Sequence, residues 1–158
     1  MYGLQQYFYI GEKMNIGLYI DSLGDEKAIK LFIDTIEQGF LSNKLDDASI
    51  FYDSVSFTPF NFPCGLFNST ELWNFSGKLL VFSLESLRNA VKIVNNIEIY
   101  YVFGFEESIN ILAMLDLVSS NEISVITKNN LGMLNFYRIS GKKVNGSLED
   151  KSLMSLLI

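Results

Sequence analysis

Polar side chains that could bind a ligand or transfer protons follow several apolar segments that predict buried strands. In a parallel α/β sheet the carboxyl ends of the strands meet at one edge, so the loops there form the default binding site. Paired carboxylates can exchange protons or hold a divalent cation, and hydroxyl or lysine side chains suit phosphate. The candidate ligand-binding residues are Asp21, Ser22, Asp53, Ser83, Glu106 and Lys128, with Glu107 and Thr127 beside them.

Each of these candidates also has a structural explanation. Acidic and hydroxyl side chains between a strand and a helix commonly cap the helix N-terminus by accepting backbone N–H groups. The first such turn, Asp21 to Asp25, holds one glycine among acids that would repel phosphate, so it does not match a dinucleotide-binding turn. The sequence does not decide whether these residues bind a ligand or cap helices. It predicts no catalytic residue, no metal ligand and no cofactor.

The composition excludes several common catalytic centres. The chain has no histidine, which rules out a Ser-His-Asp triad, a Cys-His pair and zinc bound through histidine. Its single cysteine, Cys64, can form no internal disulfide and has no adjacent cation to activate its thiol. We therefore expect Cys64 to be an inert apolar side chain in a reducing compartment.

The segments that would position the candidate residues alternate between strand and helix patterns, as in βαβ units. Strands are predicted at 16–20, 49–52, 79–82, 97–103 and 123–126, with a short sixth strand at Lys143–Val144. Helices are predicted at 25–41, from Ser83 to about Val94, from Glu106 to about Val118, at 130–139 and at 148–157, with a short one after Asn68. This order predicts an α/β fold, a Rossmann-like three-layer sandwich with a mostly parallel sheet of five to six strands and helices on both faces.

Residues 14–158 are predicted to form a single α/β domain, because 158 residues can bury one core but are too few for two ordinary domains. Residues 1–13 are interpreted as an N-terminal extension that need not be native. Gly11-Glu12-Lys13 could be encoded by a purine-rich tract of the kind that precedes bacterial start codons, so Met14 is the expected native start.

The connection between Ser54 and Gly77 is rich in aromatic residues and contains both prolines of the chain. Its rings could form a platform for a sugar or base, or an anchor for a partner subunit. They could equally pack on the edge of the sheet and close the core. The aromatic residues are Phe57, Phe60, Phe62, Phe67, Trp73 and Phe75.

Charge and hydropathy limit the partners. The net charge of −6 and the scattered cations argue against binding to nucleic acid, which needs clustered lysine and arginine. No apolar run is long enough to span a bilayer and the first residues do not resemble a secretion signal, so a cytoplasmic chain without membrane contact is predicted. A hydrophobic content of 49% exceeds what a small core hides and predicts a homo-oligomer.

Residues 97–144 resemble the end of the first Rossmann-like half of a GT-B glycosyltransferase. The resemblance lies in a strand ending at Phe103-Gly104-Phe105-Glu106, a following helix, the strand at Ser124–Thr127, the helix containing Asn135–Tyr137, and a turn at Gly141-Lys142-Lys143. Enzymes of this class bind the sugar nucleotide with a second half, for which this sequence has no room. The resemblance therefore implies a related fold or a single half, and it transfers no catalytic residue.

Three functions fit the sequence. The first is a non-catalytic accessory or interaction protein, homo-oligomeric and derived from a phage or mobile element, given the missing catalytic motifs, the apolar content and a residue usage typical of AT-rich genomes. The second is a small-molecule binding domain for a sugar or nucleotide, related to half of a GT-B enzyme. The third, and the least supported, is an enzyme that uses the carboxylates of Asp21, Asp53 and Glu106, with or without Mg²⁺, and it requires them to converge.

Overall fold

The computed structural model describes residues 13–158, and its centre is a single sheet of seven parallel strands. The strands are β1 (Met14–Ser22), β2 (Leu45–Ser54), β3 (Gly65–Asn68), β4 (Gly77–Val81), β5 (Ile97–Phe103), β6 (Ile123–Thr127) and β7 (Gly146–Ser147). Their spatial order is β3-β2-β1-β4-β5-β6-β7. This order confirms the predicted α/β class and is that of a Rossmann-like fold.

Helices connect the strands, and each begins after a polar residue that caps it. They are α1 (Glu26–Leu41), a 3₁₀ helix (Ser69–Asn74), α2 (Leu84–Ala90), α3 (Ile111–Ser120), α4 (Asn130–Ser140) and α5 (Leu153–Leu157). The side chains of the five α-helix caps each accept a hydrogen bond from the backbone N–H three residues later, and these caps are Asp25, Ser83, Asn110, Asn129 and Ser152. Polar residues between strands and helices therefore act as the caps that start the helices.

Different helices and connections cover the two faces of the sheet. Helices α1 and α5 and the segment 55–64 pack on one face, around Leu18, Phe32 and Leu80. Helices α2, α3 and α4 and the 3₁₀ helix pack on the other face, around Leu79 and Tyr101. Right-handed crossovers explain this division, because the chain moves from β1 towards β3 in one direction and from β4 towards β7 in the other.

Strands β1 and β4 meet where these two directions diverge. The backbones approach closely at Gly77, where a Cβ atom would lie 2.5 Å from the carbonyl oxygen of Asn15. Gly77 also has a φ of +142°, which L side chains rarely adopt. A glycine is therefore required where the two halves of the sheet join.

The sheet has seven strands where five to six were predicted. The additional strand is β3, and all four of its residues are exposed at the edge of the sheet, so they show no buried apolar pattern. The last strand consists of Gly146–Ser147, so the prediction of a strand at Lys143–Val144 was wrong by about three residues. Val144 is nevertheless buried, in the loop that precedes the strand.

Three helices, α2, α3 and α5, are shorter than predicted. Helix α2 ends at Ala90, and the side chain of Asn95 donates hydrogen bonds to carbonyl oxygens of the 3₁₀ segment, including those of Leu72 and Phe75 at 3.2 Å. Helix α3 begins at Ile111 and not at Glu106. The closing helix α5 is limited to Leu153–Leu157, within the predicted span of 148–157.

The predicted extension of residues 1–13 lies outside the described residues, apart from Lys13. Within the described part of the chain, no helix combines the length and the apolar character needed to cross a membrane.

Candidate functional site

The predicted site at the carboxyl edge contains a hydrogen-bonded group between β1, β2 and α2. The Tyr19 hydroxyl donates to both carboxylate oxygens of Asp53, at 3.0 and 2.9 Å, and the Asn89 side chain donates to the same hydroxyl at 3.3 Å. Burial, together with the neighbouring Asp53 carboxylate, raises the pKa of Tyr19 above its usual value. Tyr19 is therefore a neutral donor that ties β2 to β1, and it does not act as a base near neutral pH.

Asp21 lies at the end of β1 and contacts the first turn of α2. Its Oδ1 accepts a hydrogen bond from the Ser86 hydroxyl at 2.9 Å. Desolvation raises the pKa of the Asp21 carboxyl, the bond from Ser86 opposes this, and the charges of Asp53, Glu85 and Asp25 raise it further. A carboxyl surrounded by three others favours a proton or a cation over an anionic ligand.

The carboxylate of Glu106 binds the N-terminus of α2. Its Oε1 accepts the backbone N–H of Leu84 at 2.9 Å, and its Oε2 accepts the hydroxyl of the buried Tyr101 at 3.2 Å. An acidic group is stabilised at this position because the first N–H groups of a helix have no partner inside the helix. Glu106 is therefore a capping residue of α2, although it follows β5 in the sequence.

The other predicted ligand-binding residues also make local contacts. Ser22 Oγ accepts the N–H of Gly24 at 3.1 Å, and Ser83 Oγ accepts the N–H of Ser86 at 3.1 Å as the cap of α2. The ammonium group of Lys128 lies 5.2 Å from the centre of the Phe105 ring. Thr127 is buried, and its hydroxyl donates to the carbonyl oxygen of Asn129 at 3.1 Å.

The carboxylates proposed for catalysis do not form a metal-binding group. Asp21 and Asp53 are close enough for their charges to interact. However, the Asp53 carboxylate accepts a hydrogen bond from Tyr19, and the Glu106 carboxylate accepts one from the N-terminus of α2. Among residues 13–158, no three side chains of Asp, Glu or Cys are placed to hold one metal ion. The Asp53 carboxylate thus joins β2 to β1, and the carboxylates of Asp21 and Glu106 contact α2.

Cys64 is half-buried on the face of the sheet covered by α1. Burial and then the charge of Asp47 raise the pKa of its thiol to about 11. The thiolate is the nucleophilic form, so the raised pKa keeps Cys64 mostly as the neutral thiol near neutral pH.

A groove of about 330 Å³ lies at the opposite end of the sheet, at the amino ends of β1 and β2. It forms on the face where only the 3₁₀ helix packs over β2 and β3. Phe51, Phe67 and Phe75 line it; the ring centres of Phe67 and Phe75 lie 5.9 and 5.3 Å from that of Phe51. None of the six predicted ligand-binding residues lines this groove.

The aromatic connection packs partly against the core and leaves other rings exposed. Phe60 and Phe62 pack against the core on one face and Phe75 against the core on the other. Phe67 is 42% exposed, and Phe57 and Trp73 are more exposed still. Sequence reasoning identified Phe67 and Phe75 but missed Asp47 and Glu71 in the groove, because nothing in the local pattern shows that they face the same space.

Helix α4 exposes several large apolar side chains. Only Phe136 of its eleven residues is buried, whereas α1 buries seven of sixteen. Leu131, Leu134 and Tyr137 are exposed and follow one another at intervals of three, so they share one side of the helix. Leu134 and Tyr137 also line an apolar groove of about 320 Å³ with Met133 and Val144.

No protein-family model, curated protein or solved structure matches the chain. The resemblance to GT-B glycosyltransferases and the origin in a phage or mobile element therefore stay predictions.

Proposed function

We propose that this protein is a non-catalytic interaction protein that self-associates through the exposed side of α4. The observation that carries the proposal is the apolar surface of α4, where Leu131, Leu134 and Tyr137 have no partner in the described chain that buries them. Contiguous apolar patches on a soluble chain commonly mark contact surfaces. The engagement of Asp53 and Glu106 in hydrogen bonds within the chain supports a role without catalysis.

A second copy of the chain is the partner that this surface fits best. Projecting leucines and the apolar groove lie side by side on α4, and a two-fold contact requires such self-complementary features on one surface. Residues 75–158 contain eight acidic and eight basic side chains, so two copies can meet there without net repulsion. Residues 14–74 contain nine carboxylates and three lysines, which disfavours contact between two copies through that half.

The test is the mass of the protein in solution, measured by light scattering during size-exclusion chromatography. We expect wild-type protein at about twice the chain mass of 17.9 kDa. Leu134→Lys should raise the dimer Kd about 30-fold and shift the mass towards that of the monomer, because a buried charge at the centre of an interface costs about 2 kcal/mol or more. The matched control is Leu41→Lys, since Leu41 is 89% exposed at the end of α1, and this variant should remain dimeric.

Wild-type protein that stays monomeric up to its solubility limit would contradict the proposal. Equal weakening by Leu134→Lys and Leu41→Lys would also contradict it, because the association would then not depend on α4. Circular dichroism of both variants checks that the fold is retained.

A further inference from the structure

The groove at the amino ends of β1 and β2 combines aromatic rings with acidic side chains. The carboxylates of Asp47 and Glu71 line it together with Phe51, Phe67 and Phe75. No lysine or arginine is among its lining residues, and within residues 13–158 neither carboxylate forms an ion pair. Its volume of about 330 Å³ is that of a small-ligand site.

The fold explains why this space is open. The crossovers that follow β1 and β2 pass over the face of α1, and α2, α3 and α4 pack further along the other face. The 3₁₀ helix is too short to cover the remaining strands, so it closes only one side of the groove. Gly17 lies under Phe75, and a Cβ atom there would lie 3.1 Å from the ring. The glycine therefore allows the tip of the Phe75 ring to approach β1, where the ring forms one wall.

The charges around the groove determine which ligands it can accept. The residues that line the groove include two carboxylates and no lysine or arginine, so the potential inside it is negative. A phosphate-bearing nucleotide would be repelled, and a neutral sugar would gain nothing from this potential. A cation is attracted by the carboxylates and by the electron-rich faces of the phenyl rings.

We propose that this groove binds a small organic cation with an apolar body. Its ammonium group is held by Asp47 and Glu71, and its apolar part lies against the rings of Phe51, Phe67 and Phe75. Asn15 and Asn74 also line the groove, and the Asn74 side chain donates a hydrogen bond to Glu71 Oε2 at 3.2 Å. The proposal uses a different surface from α4, so it does not depend on self-association.

The experiment is isothermal titration calorimetry with 2-phenylethylammonium as the probe and 2-phenylethanol as its uncharged counterpart. We expect the ammonium compound to bind about tenfold more tightly than the alcohol, and to weaken as salt is added. Glucose, the neutral polyol control, should show no binding. Equal affinity for the ammonium compound and the alcohol would overturn the proposal, as would the absence of binding by the ammonium compound at millimolar concentration.

Variants identify the residues that hold the cation. Asp47→Asn and Glu71→Gln should each weaken binding by about fivefold or more, since each removes one charge and keeps an acceptor oxygen. Asp46→Asn is the matched control, because Asp46 is adjacent in β2 and does not line the groove. Phe67→Leu removes a ring and should also weaken binding. If Asp46→Asn weakens binding as much as Asp47→Asn, the attraction is a diffuse effect of net charge and the proposed site is wrong.

Discussion

The Asp21 carboxylate accepts a good hydrogen bond, yet its ionisation is less favourable in the folded protein than in the unfolded chain. Its bond from Ser86 stabilises the ionised form, while desolvation and three neighbouring carboxylates oppose ionisation more strongly. The folded state therefore holds this proton more tightly than the unfolded chain does. Because of this difference, the contribution of Asp21 to the free energy of unfolding falls as the pH rises from its ordinary pKa of 3.8 through its raised pKa in the folded protein.

We expect Asp21→Asn to become more stable than the wild type as the pH rises above 3.8. Asparagine keeps an oxygen that can accept the bond from Ser86 but removes the charge. The gain at pH 7 should be a few tenths of a kcal/mol, because Asp21 is exposed to solvent and screened. Urea unfolding between pH 3 and 7 measures the difference, and a gain that does not change with pH would contradict the assignment.

At the scale of the element, the connection between Glu106 and α2 is the contact that the sequence could not show. Glu106 follows a strand and precedes hydrophobic residues, a position that predicts the start of its own helix. In the folded chain its carboxylate instead caps a helix that begins at Leu84, and α3 begins later, after Asn110. A cap supplied from 22 residues away leaves no local pattern.

We expect Glu106→Ala to lower the free energy of unfolding by about 1 to 3 kcal/mol. The substitution removes the acceptor of the Leu84 N–H and leaves the buried hydroxyl of Tyr101 without its carboxylate partner. Glu106→Gln retains two polar atoms at the same place and should cost less. Urea unfolding of the two variants tests the capping role, and unchanged stability of Glu106→Ala would show that the carboxylate is free for another function.

Elements with a regular buried face were predictable, and elements at the edges were not. Helix α1 was placed within one residue, because six of its side chains follow the helical period and acidic residues stand at its start. Strand β3 was missed since its four residues are exposed and are held by pairing with β2. The same limit applies to the site: polar residues at strand ends were found, but their partners on other elements were not.

At the scale of the whole molecule, the junction of β1 and β4 unites the two halves of the sheet. Strand order depends on which crossovers turn left or right from β1, and no residue pattern in the sequence specifies that. The junction nevertheless requires a glycine at position 77, because no side chain fits there.

We expect Gly77→Ala to destabilise the protein by more than about 2 kcal/mol. The added Cβ would lie 2.5 Å from the carbonyl oxygen of Asn15, and the φ of +142° would be strained. Gly24→Ala is a milder comparison, because its Cβ would meet no backbone atom but the side chains of Ser56 and Ser22, at 3.0 and 3.4 Å. Thermal unfolding of both variants measures the difference, and equal losses would show that the junction tolerates a side chain.

The position of β1 in the centre of the sheet also affects how the chain can be made. A ribosome releases residues from the N-terminus onwards, so β1, β2 and β3 emerge before β4. Until Val81 has been synthesised, one side of β1 has no strand to pair with, although Ile16 and Leu18 of that strand have no exposed surface in the finished fold. A nascent chain or fragment that stops short of β4 therefore carries an open, apolar strand edge, the feature that most readily recruits other chains.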